Sequence, residues 1–229
     1  MTFVAQVGFG WWAQGVKPYW ANLPPAPRPS AVGALAFGDP QFLFRALALR
    51  VQTAGDFGGR VVPIREYDQE LAVRWLEVLD SLDSRSVYAI GLAEGLFGQS
   101  QNANEIGPII AFMSRHVDRD PQRKWPWMFG AISLARYRMK DQNLALSLAR
   151  QLAAYEVPSI TPWATMTPAF ILEDAGDIDG AKAVIAATLR RFAGRLSPDD
   201  QTWTASYLDY LDRRAKGLAP PRKSWLDPQ

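Results

Sequence analysis

From Asp39 onward, apolar residues recur at three- and four-residue intervals, the period of a helix with one buried face. Several segments open with the chemistry that a helix N-terminus requires. Asp39-Pro40, Thr161-Pro162 and Ser197-Pro198 each set an oxygen-bearing side chain before a proline at the first helical position. The missing proline N–H is no loss there, because the first amides of a helix have no intrahelical partner. Asp199 and Asp200 add two carboxylates at the positive end of the last helix dipole. No stretch alternates apolar and polar residues between hairpin turns. Arg60-Val61-Val62-Pro63-Ile64 is short and proline-broken, so it reads as a loop or a stray strand. The pattern predicts an all-α body. Its final helix runs from Ser197 to Lys216, with Trp203, Tyr207, Tyr210 and Leu211 on one face and Gly217 as its stop.

The body also repeats itself. Gly176-Asp177 precedes Ala181 and Ile185; thirty-six residues earlier, Lys140-Asp141 precedes Ala145 and Ala149 at the same offsets. A short polar turn followed by small or apolar residues lets two antiparallel helices approach closely. This spacing resembles the tetratricopeptide repeat, a helix–turn–helix unit of about 34 residues. Four units follow the pattern. The first carries Phe44, Leu47, Ala48 and Val51 with the turn Gly55-Asp56, and the second Val87, Ile90, Ile109 and Met113. The third carries Phe129, Ile132, Tyr137 and Asp141, the fourth Ala169, Leu172, Asp177 and Leu189. The resemblance covers roughly residues 39–195, no unit has the full signature, and other helical hairpin repeats remain open. It implies a right-handed solenoid of about four hairpins closed by a C-terminal capping helix with a polar outer face. The chain then divides into a hydrophobic aromatic segment (1–17), a proline-rich linker (18–30), the repeat domain (31–217) and a tail (218–229).

In tetratricopeptide proteins the first helices line a concave groove. By that spacing the groove here receives Arg45 with Phe42 and Leu49 from the first unit, and Tyr88 from the second. Trp127, Tyr137 and Arg138 come from the third, and Trp163, Met166, Phe170 and Glu173 from the fourth. The lining is aromatic and poor in cations, so it suits an apolar peptide or helix of a protein partner. The lysine and arginine clamp with which some family members hold a terminal carboxylate is not evident. The competing reading is that aromatics at helical spacing are core. A second candidate surface comes from two insertions at the inter-helix turns, Gly55 to Ala72 and Gly98 to Ile109, which place two long loops on one edge as neighbours. The first offers Arg60, Arg65 and Tyr67 as contacts; a merely tolerated insertion is the alternative.

Composition narrows the chemistry. The chain has 229 residues, a net charge of +2, no cysteine and one histidine. Disulfides, thiolate catalysis, iron–sulfur clusters and multi-histidine metal sites are therefore excluded. Residues 1–38 hold Lys17, Arg28 and no acid, while the remainder is neutral. Nucleic acid is not expected as a partner, since no clustered positive surface emerges. His116 is the single conventional general base, and no nucleophile-elbow pattern accompanies it. The acid pairs Asp118-Asp120, Glu173-Asp174 and Asp177-Asp179 read as cap, turn or solvated-face residues. No catalytic, cofactor or metal site is expected. The chain reads as a non-catalytic interaction or scaffold module of a membrane-associated complex. A small helical enzyme or ligand-binding domain using carboxylates and aromatics is one alternative, and an accessory structural subunit of a membrane assembly is another.

Thr2 to Val16 is uncharged and aromatic, and Phe9, Trp11, Trp12 and Trp20 are its candidate membrane anchors. The run is shorter than the roughly 20 apolar residues of a spanning helix and lacks the basic start of a secretory signal. Three readings stay open: an interfacial anchor with an aromatic belt, the end of a spanning helix that begins upstream, or an extension folded onto the body. Pro18, Pro24, Pro25, Pro27 and Pro29 then predict an extended spacer. The layout resembles that of bacterial membrane-associated proteins with a hydrophobic N-terminal segment, a proline spacer and a degenerate tetratricopeptide body. Membrane association is expected, on a side left open, with a soluble cytoplasmic protein as the alternative.

Overall fold

The computed structural model describes residues 23–221 except 58, 59 and 101, and over that range the chain is helical apart from one small hairpin. The N-terminal half contains α1 (Pro29–Leu35), α2 (Pro40–Gln52), α3 (Gln69–Leu82), α4 (Tyr88–Gly95) and α5 (Gly107–Arg119). After the single turn α6 (Pro121–Lys124) come α7 (Met128–Ser133), α8 (Gln142–Ala154), α9 (Pro162–Asp174), α10 (Ile178–Arg191) and α11 (Pro198–Ala215). Strands β1 (Asp56–Phe57) and β2 (Arg60–Val61) pair antiparallel inside the first insertion, Asp56 opposite Val61.

The caps read from sequence are in place. Asp39 Oδ1 accepts from the Phe42 amide at 2.9 Å, Thr161 Oγ1 from Ala164 at 3.3 Å and Ser197 Oγ from Asp200 at 3.1 Å. Each such cap is worth about 1 kcal/mol. The repeated turns share a conformation: Lys140 (φ 56°) and Gly176 (φ 83°) are both left-handed, and the Asp after each caps the next helix. Ala145 and Ala181, the matching small residues, are both fully buried. Lysine is a poor occupant of a left-handed position, whereas glycine is indifferent to it. Lys140→Gly is therefore expected to raise stability by about 0.5–1 kcal/mol, seen as a melting temperature roughly 2–4 °C higher. In the first unit the pattern diverges. Gly55 is left-handed too, but Asp56 enters the hairpin, and Asp68 caps α3 instead.

Helices pack largely in chain order: α2 on α3, α3 on α4 and α5, α5 on α7, then α7 to α11 each on the next. Helix α9 is the shared wall. Its Ala164 and Ile171 belong to the large N-terminal apolar cluster, while Met166, Ala169, Phe170 and Leu172 join α10 and α11 in a second. Pro168 lies in its middle and has no N–H for the Ala164 carbonyl. The Thr167 hydroxyl supplies the missing donor at 2.8 Å, which keeps the carbonyl paired inside the core.

The described part of the expected linker is not a free spacer. Leu23 is buried in the core, and the Trp75 indole donates to the Pro24 carbonyl at 2.7 Å. From Leu23 on, the segment packs on the body, because a proline-rich stretch offers free carbonyls and Leu23 finds apolar cover beside α3. At the other end, Gly217 (φ 71°) stops α11 as expected, and the Leu218 amide closes back on Arg213 O at 2.8 Å. Phe9, Trp11, Trp12 and Trp20 lie outside the described residues. Among the described residues, no helix is long and apolar enough to cross a membrane.

Candidate functional site: an aromatic ladder across three helices

Alternate helices in chain order carry one run of rings. Trp125 lies in the 3-10 turn (Trp125–Trp127) that leads into α7 and Phe129 in the first turn of α7, Trp163 and Phe170 two turns apart on α9, Trp203 and Tyr207 one turn apart on α11. Trp125 meets Phe129 edge-on at 6.1 Å, Phe129 meets Trp163 at 4.9 Å, and Trp163 meets Phe170 at 6.1 Å. Phe170 in turn touches Trp203 at 6.1 Å and Tyr207 at 5.5 Å. Such offset and edge contacts are the geometry that ring quadrupoles favour. Phe170 and Tyr207 form a buried floor, while Trp163 and Trp203 stand 42% and 40% exposed at the rim. Between these two tryptophans lies a cleft of about 390 Å³ that also touches Pro162, Met166, Asp199 and Asp200. Beneath the floor, the buried Glu173 carboxylate accepts from Tyr207 Oη at 2.6 Å and Tyr210 Oη at 2.9 Å, fastening α11 to α9.

Of the residues expected in a groove, Trp163 and Phe170 come together here, with Phe170 as floor. The others are spread along the chain. Trp127 is half-buried over Gly91, and Tyr88 packs edge-on against Phe44 at 6.3 Å while donating to Gln52. Tyr137 lies under the Arg136 guanidinium, 5.0 Å from its centroid, on the π-turn Leu134–Arg138; Arg138 donates to Gln99 at 2.8 Å. Arg45 and Arg65 are exposed on α2 and the first insertion, and the Arg60 side chain lies outside the described residues. Tyr67 requires a correction. It is buried, its hydroxyl donates to the Ala54 carbonyl, and its ring meets Phe97 at 6.1 Å. A large aromatic in a long loop gains more by folding back onto apolar neighbours than by facing water. That contact brings the first insertion against Phe97, the residue just before the second. Trp203 and Tyr207, read as the inner face of a capping helix, complete the ladder; their four-residue spacing was the available signal. Glu173, read as a cap or solvated-face residue, is instead buried between α9 and α11.

His116 is fully buried. Its Nδ1 lies 2.7 Å from Asp80 Oδ1, and Lys124 Nζ lies 3.9 Å from the same oxygen. Arg119 grips Asp80 Oδ2 from the surface side. Asp118, the acid nearest His116 in sequence, is turned elsewhere: Tyr155 Oη donates to it at 2.6 Å and Gln151 Nε2 reaches both its oxygens at 2.8 Å. Burial, with Asp118 beside it, pushes the Tyr155 hydroxyl above its ordinary range. The remaining acids are also engaged separately. Asp120 pairs with Arg123 at 3.4 Å, Asp174 with Arg136, and Asp177 holds the α10 amide. Among the described residues no three potential metal ligands cluster. Comparison with family models, curated proteins and solved structures finds no match to this chain.

Proposed function

We propose that this chain is a non-catalytic docking module, and that its aromatic ladder receives an apolar segment of a protein partner in a membrane-associated complex. The observation that carries the reading is the pair Trp163 and Trp203, both large, both rim-exposed, flanking one cleft over a rigid aromatic floor. Tryptophan and tyrosine dominate binding hot spots because they bury much area at little entropic cost. Asp199 and Asp200 at one edge of the cleft favour a partner helix whose apolar stripe ends in lysine or arginine.

The tetratricopeptide-like solenoid belongs to the same proposal. The near-sequential packing of α7 to α11 and the similar turns at Lys140-Asp141 and Gly176-Asp177, each with a left-handed residue before a capping Asp, support it. In such an array α7 and α9 are the first helices of successive hairpins and face one side.

The test is selection of a displayed peptide library on the full chain. Selected peptides are expected to share apolar residues at helical spacing with a basic residue at one end. Trp163→Ala combined with Trp203→Ala should weaken them at least about 30-fold, compared at a temperature where circular dichroism shows both proteins folded, since each ring is also more than half buried in the ladder. Equal affinity for the variant, or no apolar consensus, would overturn the proposal.

A further inference from the structure

Helix α2 is apolar on two opposite sides. Phe44, Ala48 and Val51 are buried against the body. At 100° per residue, Phe42, Ala46 and Leu49 form a stripe on the outer side, where Phe42 is 70% and Leu49 61% exposed. Arg45 borders one edge of that stripe and Arg50 the other. The helix has no carboxylate of its own. Asp39 at its N-terminus is committed to the Phe42 amide, and Asp83 meets α2 at Gln41, 3.0 Å away. The turn entering α2 adds Phe37, 92% exposed with φ 47°. Phe42, Arg45 and Leu49, expected to line a groove, thus stand on an exposed face that is apolar at its centre and cationic at its borders.

We infer that the outer face of α2 seats on an anionic lipid surface, with Phe42 and Leu49 in the headgroup–acyl boundary and Arg45 and Arg50 at the level of the phosphates. Charge decides the occupant. An interfacial helix places cations along both borders of its apolar stripe, their aliphatic stems lying over it. A second copy of α2 would bring four arginines together without a carboxylate from either helix. An uncharged segment such as residues 2–16 would cover the stripe and leave the arginines unanswered. This surface is separate from the aromatic ladder and stands whether or not the ladder binds a peptide.

The absence of cysteine makes the test direct. The full chain carries one environment-sensitive fluorophore, attached after Leu49→Cys or, as a control on exposed α11, after Asp209→Cys. Each is mixed with phosphatidylcholine vesicles with and without about 30 mol % phosphatidylglycerol. On the anionic vesicles the probe at 49 is expected to shift to the blue and to be quenched by brominated acyl chains, and the probe at 209 is not. Arg45→Gln with Arg50→Gln should weaken binding to those vesicles about 25-fold and leave binding to neutral ones unchanged. Three results would overturn the inference. The chain binds no vesicle; it binds while the probe at 49 stays in water; or that probe becomes apolar without lipid as protein concentration rises, which would mean a second copy covers α2.

Discussion

Replacing Asp80 with alanine should lower the unfolding free energy by about 3–5 kcal/mol at neutral pH, the cost of stranding charge in a core. Asp80 is buried on α3, and three cations or potential cations from α5 and α6 converge on it: His116, Arg119 and Lys124. Arg119 retains Glu77 at 3.0 Å if Asp80 is lost. Lys124 is worse placed, because it is itself buried and keeps the Ser84 carbonyl at 2.5 Å and the field of Asp120 as its remaining support. The loss measures the stranded partners and not a surplus from the ion pairs, since an apolar replacement of a whole buried cluster can be neutral.

The same cluster sets an acid dependence. Burial by itself would raise the Asp80 carboxyl, but His116, Arg119 and Lys124 outweigh it and hold it below the ordinary carboxylate range. The folded carboxyl therefore binds its proton less readily than the unfolded one. Its contribution is complete above the unfolded value near pH 4 and is lost as pH falls through the lower folded value. Urea unfolding of both proteins at pH 7 and pH 3 should show the gap between them narrowing in acid. A gap that is constant, or below about 1 kcal/mol at neutral pH, would remove the cluster as the tie between α3, α5 and α6.

Gly55→Ala is expected to cost about 2–4 kcal/mol, from two sources of similar size. Gly55 has φ 80°, which penalises any residue with a Cβ by about 1–2 kcal/mol. A Cβ there would also sit on the Tyr67 hydroxyl, which must move off the Ala54 carbonyl and leave a part-buried group unpaired, another 1–2 kcal/mol or so. Burial and the nearby Asp56 raise the Tyr67 hydroxyl above its usual value, so it is a neutral donor throughout the working range. Tyr67→Phe alone should cost about 1 kcal/mol, and the double variant less than the two single losses added, because the collision and the lost bond share one oxygen. Thermal unfolding of the three variants tests this. Additive losses, or a Gly55→Ala protein within 0.5 kcal/mol or so of the parent, would contradict it.

What could be read along the chain was whatever rests on near neighbours. Asp39, Thr161 and Ser197 each cap an amide three residues on, and the Lys140 and Gly176 turns repeat within a single hairpin, so local chemistry sufficed for both. The buried Asp80–His116–Lys124 cluster spans 44 residues and three helices, and nothing in local periodicity marks Asp80 as its centre. Glu173 escaped for a related reason: a charged residue at a helix end reads as solvated until two tyrosines from α11 arrive to bond it. Helix α9 is buried on all sides from Ala164 to Glu173, so it has no polar face to set a period against. The ladder was half visible. Trp163 and Phe170 fell at family-like groove positions, whereas the meeting of Phe170 with Trp203 depends on how α11 crosses α9.

That all-round burial of α9 bears on how the molecule comes apart. A stack of units that touch only their neighbours can fray from its ends, each unit with its own melting behaviour. Here one helix gives Ala164 and Ile171 to one apolar cluster and Met166, Ala169, Phe170 and Leu172 to the other. Loosening it removes a wall from both at once. The turn around Pro168, where a threonine hydroxyl stands in for the missing amide, lies in the one helix that both clusters share, so the two clusters are expected to unfold together and not one after the other.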